Sequence, residues 1–463
     1  MEYVNPLGEE KISKLLIKFS IPAIVGMMVN AMYNVVDRIF IGNADYLGAN
    51  GIAGVTLGFP VILIFLAMGM LFGVGGATLF SMKLGEKKQQ EAENILGNAF
   101  VMLIIAGLSV TIIGQIFLKQ ILVFFGTSPE LLNYATEFMS VILWGAVFQI
   151  IGMGMNNFIR ADGNPKIAMT TMFVGAGANI VLDPIFIYVF KWGLAGAALA
   201  TIISQMLSAA WVIAYFLGKR SRIKLTLKNM KLKKSLVLKI ASLGMPSFLM
   251  QVASSFLNAT LNKNLMIYGG DIAISAMGII NSIITILVMP VIGLNQGVQP
   301  IVSFNFGAKK YDRVKTAEKL GIIAATIVVT IGYCLAMIFP EQLISMFNQE
   351  SELVSFGSHA LKSWLFFLPV VGFQIIAASF FQAIGKYKSA MFLTLTRQVI
   401  LLIPAIIIFP KLWGINGLLK AGPFADILSA TLTCIWFMNT INKLGDETKI
   451  NLHSKIATEN REL

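Results

Sequence analysis

Long apolar runs separated by short polar clusters make up most of the chain. A helix needs about 20 apolar residues to cross a bilayer core, and the runs here reach that length. They predict twelve helices, at residues 18–42, 51–80, 95–118, 136–158, 167–190, 194–217, 242–268, 274–303, 317–340, 359–382, 388–410 and 413–440. Strands of a membrane barrel would alternate in short segments with much weaker hydropathy. The pattern therefore predicts an all-α polytopic membrane protein.

The pattern repeats. "SMKLGEKKQQEAENILG" from Ser81 matches "SFNFGAKKYDRVKTAEKLG" from Ser303, and Gly85 and Gly307 stand 222 positions apart. "RADGNPKIAM" from Arg160 matches "FQAIGKYKSAM" from Phe381, with Gly163 and Gly385 at the same offset of 222. "WGLAGAALA" from Trp192 matches "WGINGLLKA" from Trp413 at an offset of 221, and Pro22 matches Pro246 at 224. Near-constant offsets at four places predict two six-helix bundles of the same topology. The expected units are residues 1–218, a basic linker at 219–240, and residues 241–463. An even number of spans per half makes the repeats parallel, an arrangement common in transporters, with the substrate path at their interface.

Composition agrees. Hydrophobic residues make up 56% and charged residues 13% of the 463 residues, against about 25% charged in soluble domains. The first apolar run follows a charged leader, Glu9 to Lys18, and is too long for a signal-peptide core, so it reads as an uncleaved first helix. Two cysteines and two histidines leave no disulfide framework and no His-rich metal site. The net charge of +13 reads as topology rather than nucleic-acid binding, because Lys and Arg accumulate in cytoplasmic loops. Lys11, Lys14, Lys83, Lys87, Lys88, Arg160, Lys166, the stretch Lys219 to Lys239, Lys309, Lys310, Arg313, Lys386 and Lys388 fall on one side. The other side offers little beyond Lys119, Lys191 and Lys411. Both termini, including the C-terminal tail, are thus expected in the cytoplasm, with the chain multi-pass in the cell membrane and acting as a monomer. The basic, amphipathic linker is expected to lie on the anionic inner leaflet.

Ionisable groups inside spans are costly and mark pathways or coupling sites. The first helix carries Asn30, Tyr33, Asn34 and Asp37 at spacings that place all four on one face. The fifth carries Asn179 and Asp183, four apart and so adjacent. Pro184 follows; it removes a backbone donor and frees the carbonyl of Ile180, so a helix bend is expected there. A freed carbonyl beside a carboxylate and an amide suits a proton or Na⁺. Thr201 of the sixth helix adds a hydroxyl at a similar depth. The seventh helix shows Gln251, Ser254, Asn258 and Asn262 on one face, without an acid. Asp37, Asp183, Asn179, Tyr33 and Thr201 are therefore the candidates for cation coupling, with Na⁺ conceivable at Asp37, Asn179 and Asp183. Asn30, Asn34, Gln251, Ser254 and Asn258 are candidates for the substrate cavity. Arg397, Lys420 and Asp426, in the last two helices, are expected to form an internal ion-pair cluster. Gly75, Gly293 and Gly297 are expected at close helix contacts.

Several of these stretches together resemble the MATE (multidrug and toxic-compound extrusion) family. They are "NVVDRIFIG" at the end of the first helix, "GATLFSMKLG" and "GVQPIVSFNFG" before the two basic loops, Arg160–Pro165 as R-A-x-G-x-P, and Asn179–Pro184 as N-I-x-L-D-P. The similarity runs over residues 10–440, and the "VDR" and "LDP" forms are most similar to the MepA-like bacterial branch. The resemblance implies a V-shaped pair of bundles that exports amphipathic, often cationic drugs against an inward flow of H⁺ or Na⁺, with no cofactor. It also implies a cation site on Tyr33, Asp37, Asn179, Asp183 and Thr201. Two other readings fit less well. A lipid-linked oligosaccharide flippase of the related superfamily would carry further spans and more central cations. A membrane-embedded enzyme would need a convergent nucleophile, metal cluster or acid–base pair, and the sequence offers none.

Overall fold

The computed structural model describes residues 6–44, 47–125, 127 and 129–445, leaving out the side chains of residues 34, 48–50 and 52. The C-terminal tail beyond 445 and the side chain of Asn34 therefore lie outside the described residues. Those residues form helices joined by short turns, with no strand among them. Helix is what a bilayer demands, since it satisfies every backbone polar group within its own segment.

A short leader helix, Pro6–Glu9, precedes the first span. The first six spans are α1 (Ile12–Gly42), α2 (Gly48–Gly85), α3 (Gln89–Phe124), α4 (Pro129–Ala161), α5 (Pro165–Pro184) and α6 (Gly193–Leu217). Residues Lys234–Gly307 run as one helical stretch broken at Gly270, whose φ of 63° divides it into α7 (234–269) and α8 (271–307). Next come α9 (Tyr311–Ile338) and α10, a bent pair of Ser351–Trp364 and Leu368–Ala383 meeting at 47°. The last stretch, beginning at Tyr387, breaks at Trp413 and Gly414 into α11 (387–412) and α12 (415–443). Twelve spans result among the described residues. Several start well before the apolar runs do: α3 begins at Gln89 and α7 at Lys234. Hydropathy senses only the lipid-facing stretch, while the helix continues into polar turns.

The repeat is visible in the backbone itself. Residues forced into left-handed conformation recur in pairs: Lys87 (60°) and Lys309 (59°), Gly163 (95°) and Gly385 (84°), Gly193 (64°) and Gly414 (58°). Each pair ends or joins the same two helices of its half. Each half also has its own buried core. One contains Phe65, Phe80, Leu103, Met139, Phe158 and Phe216, the other Ile280, Val329, Phe380, Phe381 and Leu418.

The halves exchange their leading segments. Leu7, Leu15 and Phe19 pack in the core of the second half. The leader's carbonyls are held there: Asn305 Nδ2 and Arg313 Nη2 donate to Leu7 O at 2.9 and 3.1 Å, Lys310 Nζ donates to Gly8 O at 2.8 Å, and Arg313 Nη2 donates to Glu10 O at 2.7 Å. In turn, Ile223, Leu225 and Ile240 of the linker region join the core of the first half. Asn98 Nδ2 donates to Lys231 O at 3.1 Å, and its Oδ1 accepts from Lys233 N at 2.8 Å. Asn229, buried, donates to Glu93 Oε2 at 3.0 Å. The linker is therefore seated on protein, not spread only on lipid, because alternate residues at 221, 223 and 225 point inward.

Close contacts between the halves lie toward the end that carries the basic loops. A Cβ on Gly244 of α7 would stand 1.8 Å from Leu71 O of α2, and one on Gly85 of α2 would stand 2.0 Å from Phe304 O of α8. No side chain fits either place. Across the same seam Ser81 Oγ donates to Pro300 O at 3.0 Å, and Gln299 Nε2 donates to Thr78 Oγ1 at 3.2 Å.

Candidate functional site

Inside the first half, α1 and α5 bring two acids together. Asp37 lies near the end of α1, and Asp183 is fully buried one residue before Pro184. Their carboxyl groups are close neighbours. Asn179, one turn before Asp183 on the same face, is 1% exposed. Its Nδ2 donates to Asp183 Oδ1 at 3.2 Å and to Thr201 Oγ1 of α6 at 3.4 Å. Asp37, Asp183, Asn179 and Thr201 thus form one cluster drawn from three helices.

The cluster is short of donors. Asp37 Oδ1, Asp183 Oδ2 and Asn179 Oδ1 are buried without a hydrogen-bond partner. Three orphaned acceptor oxygens in a buried site are costly unless a proton or cation meets them. Two neighbouring carboxyls also call for a proton between them, or a cation in its place, since two adjacent carboxylates repel.

Tyr33 lies one turn before Asp37 and is half-buried, as is Asn30. Pro184 closes α5, and residues Ile185–Val189 continue as a π-helical turn in which Phe190 N donates to Ile185 O at 2.9 Å. The donor missing at Pro184 is thus accommodated by widening the helix, a device that recurs at functional sites. At the far end of that turn Tyr188 Oη donates to Phe40 O of α1 at 2.8 Å, tying the two acid-bearing helices together. Sequence reasoning missed this tie. Its signal was present: Tyr188 is the one polar side chain in "IFIYVF" after Pro184.

The residues of α7 are not part of this cluster. Gln251 and Ser254 are half-buried and Asn258 is exposed. Ser254 Oγ accepts from Gln398 Nε2 of α11 at 3.2 Å, within the second half. There too a π-helical turn, Thr396–Leu402, interrupts the fifth helix of the repeat. Arg397 in it pairs with Asp426 of α12, Nε to Oδ1 at 2.7 Å. The expected ion-pair cluster is therefore a pair; Lys420 is exposed and makes no ion pair among the described residues. No group of three or more His, Cys, Asp or Glu side chains suited to a metal occurs among the described residues.

A model of the MatE family matches residues 22–185 and 246–407, one match in each half. The multidrug export protein MepA of Staphylococcus haemolyticus is 27% identical over 94% of this chain and 95% of its own length. The protein of the same name from Staphylococcus aureus strain MSSA476 is 29% identical over 90% of this chain and 91% of its own. Among solved structures, a MATE protein in a bent conformation superposes with a TM-score of 0.88 at 25% identity, covering 95% of this chain and 97% of that one. A MOP superfamily transporter from Pyrococcus furiosus, whose binding pocket is described as having reverse polarity, gives 0.90 at 25% identity, covering 96% and 99%.

Proposed function

The chain belongs to the MatE family, and on that premise we propose that it is a cation-coupled antiporter exporting amphipathic, often cationic compounds by alternating access. Its multi-pass architecture is that of MATE transporters, and the staphylococcal relatives are multidrug export proteins. The observation that carries the coupling is the Asp37–Asp183 pair, with three orphaned oxygens around it and, among the described residues, no cationic side chain hydrogen-bonded to it.

The cycle follows from electrostatics. Empty, the pair carries like charges that push α1 and α5 apart. A proton between the carboxyls, or Na⁺ held by Asp37, Asp183 and Asn179, removes the repulsion and lets the helices close. The π turn after Pro184 absorbs the change at low cost, since its hydrogen-bond ladder is already off register. Narrowing the first bundle expels substrate held between the halves, where Asn30 and the α7 face of Gln251, Ser254 and Asn258 supply polar contacts. Units 1–218 and 241–463 rock about the seam, with 219–240 as their connection. The basic loops and both termini face the cytoplasm of a cell-membrane protein that works as a monomer.

Everted vesicles test the reading. With a proton gradient or a Na⁺ gradient imposed alone, a fluorescent organic cation is expected to accumulate in response to one of them. Accumulation indifferent to both gradients would remove the antiport assignment. For orientation, Lys228→Cys, at an exposed linker position, is expected to react with a membrane-impermeant maleimide in everted vesicles and not in intact cells.

A further inference from the structure

The R-A-x-G-x-P stretch has a residue that the coupling site does not use. Arg160, at the end of α4, is 4% exposed. Its Nη2 donates to Asn157 Oδ1 at 2.7 Å, and its Nη1 donates to Asn156 Oδ1. Both partners are neutral. The acid two residues on, Asp162, is turned away: its Oδ2 accepts from the Tyr215 hydroxyl and, at 3.2 Å, from Arg222 N. The ion pairs of the described residues join Lys18, Lys83, Lys88 and Arg397 to acids, and none includes Arg160. A buried guanidinium without a counter-charge costs several kcal/mol, and two of its five N–H groups are accounted for.

Beside Arg160 lies a small cavity in the seam between the halves, with several polar side chains among apolar walls. Thr78, Asn157 and Arg160 wall it from the first half, and Gln296, Gln299 and Ser303 from the second. Ser303 is fully buried and its hydroxyl has no partner. The Thr78 oxygen accepts from Gln299 Nε2, which leaves the Thr78 O–H to donate elsewhere. Gln296 Oε1 is also unpartnered, and its Nε2 donates weakly to Met27 Sδ at 3.5 Å; rotation of that amide would exchange this contact for an N–H₂ facing the cavity. The cavity gives about 20 Å³ to the centre of a water-sized particle, room for one small occupant.

A fixed positive charge, convergent hydroxyl donors and space for one sphere select a small monovalent anion. We propose that Arg160, Thr78 and Ser303 form a binding site for a chloride-sized anion in the seam between the two halves. Polyatomic anions such as gluconate are too large for it. Because its walls come from both halves, the site exists only while the seam is closed. The anion therefore binds the closed arrangement in preference to the open one and stabilises it by linkage. It supplies the counter-charge that Arg160 lacks, and it makes seam opening at the basic end depend on chloride concentration. The site is separate from the Asp37–Asp183 cluster, so its test needs no transport.

The test is thermal unfolding of the purified full chain in sodium chloride and in sodium gluconate at equal ionic strength, titrated with chloride. The expected result is a saturable, chloride-specific rise in the unfolding midpoint, about 2 °C near saturation, reproduced by bromide. Arg160→Gln should abolish the increment. Ser303→Ala, which removes only a hydroxyl, should raise the half-saturating chloride roughly tenfold and keeps the test open should the arginine variant fail to fold. Anomalous diffraction from a bromide-soaked wild-type crystal should show bromide within hydrogen-bond distance of the Arg160 guanidinium. Equal midpoints in the two salts, an unchanged chloride response in Ser303→Ala, or bromide density away from Arg160 would each overturn the site.

Discussion

The two halves share a backbone and differ in the charge they hide. In the first half Asp37 and Asp183 face each other with no ion pair to either acid among the described residues. The residue 224 positions after Asp37 is Leu261, and the residue 222 after Asp183 is Ala405, both buried and apolar. The second half instead buries Asp426 against Arg397, a pair that is neutral as it stands, and Glu318 of α9 by itself, with no second acid hydrogen-bonded to it among the described residues. An acid with its own arginine has no need of an outside ion. An acid pair without one must recruit a proton or metal cation, and can release it again. Duplication thus supplies a symmetric frame, and on the proposed reading the exchange falls to the first half, where two acids meet.

The largest effect should come from removing the unpaired charge. Asp183→Asn and Asp37→Asn are each expected to lower ion-driven dye efflux by about 100-fold or more, with expression near wild type because volume is kept. Efflux at the wild-type rate in both variants would break the contrast between the halves. Asp426→Asn tests the other side. It leaves Arg397 unpaired and should cost stability, about 1–3 kcal/mol once the 31% exposure of Arg397 is allowed for. The double variant with Arg397→Gln should recover part of it in a denaturation series, while efflux per folded molecule stays coupled to the ion. Loss of coupling in folded Asp426→Asn would show that both halves handle the ion.

Pro184→Ala sharpens the comparison further. Restoring the N–H should let the π turn relax toward regular helix. Ion affinity should persist while ion-driven substrate release slows roughly threefold to tenfold; an unchanged release rate would reduce the π turn to packing. The smallest effect concerns Asp162, in the turn after α4. Burial pushes its carboxyl up to about 6, against hydrogen bonds from Tyr215 and the Arg222 N–H that favour its charge. The folded state then binds the proton more tightly than the unfolded chain, so this group's contribution is fullest below about pH 4 and is lost as pH rises through 6. Asp162→Asn cannot titrate. Its melting temperature relative to wild type should climb between pH 4 and 6 and stay level above; a flat difference would contradict the assignment.

Much of this was legible before any coordinates. Apolar runs of bilayer length gave the spans, because hydrocarbon leaves the backbone no alternative to helix. Near-constant offsets gave the repeat, since the turns at Gly163 and Gly385 need the same left-handed backbone. The pairing of Asn179 with Asp183 followed from i,i+4 geometry. What stayed hidden required two distant elements to meet. Nothing local says that Asp37 of α1 touches Asp183 of α5, and only family resemblance put them in one site. The burial of Arg160 without an acid was equally opaque, because the sequence reads Arg160 as one more cation of the cytoplasmic loops. The linker misled in a milder way. Its lysines read as a membrane tether, while Ile223 and Leu225, the residues that seat it on α-helical protein, are too few to register in a hydropathy window.

The exchanged leader has a consequence for how the molecule is made. Leu7 waits for Arg313, 306 residues later in the chain. At about 5–20 residues per second, synthesis brings that partner out on the order of tens of seconds afterwards. Throughout that interval Leu7, Leu15 and Phe19 have no finished core to enter, although α1 to α6 can already have assembled around their own. The leader is therefore made long before it can find its place. Their docking marks the moment at which two separately built bundles become one protein.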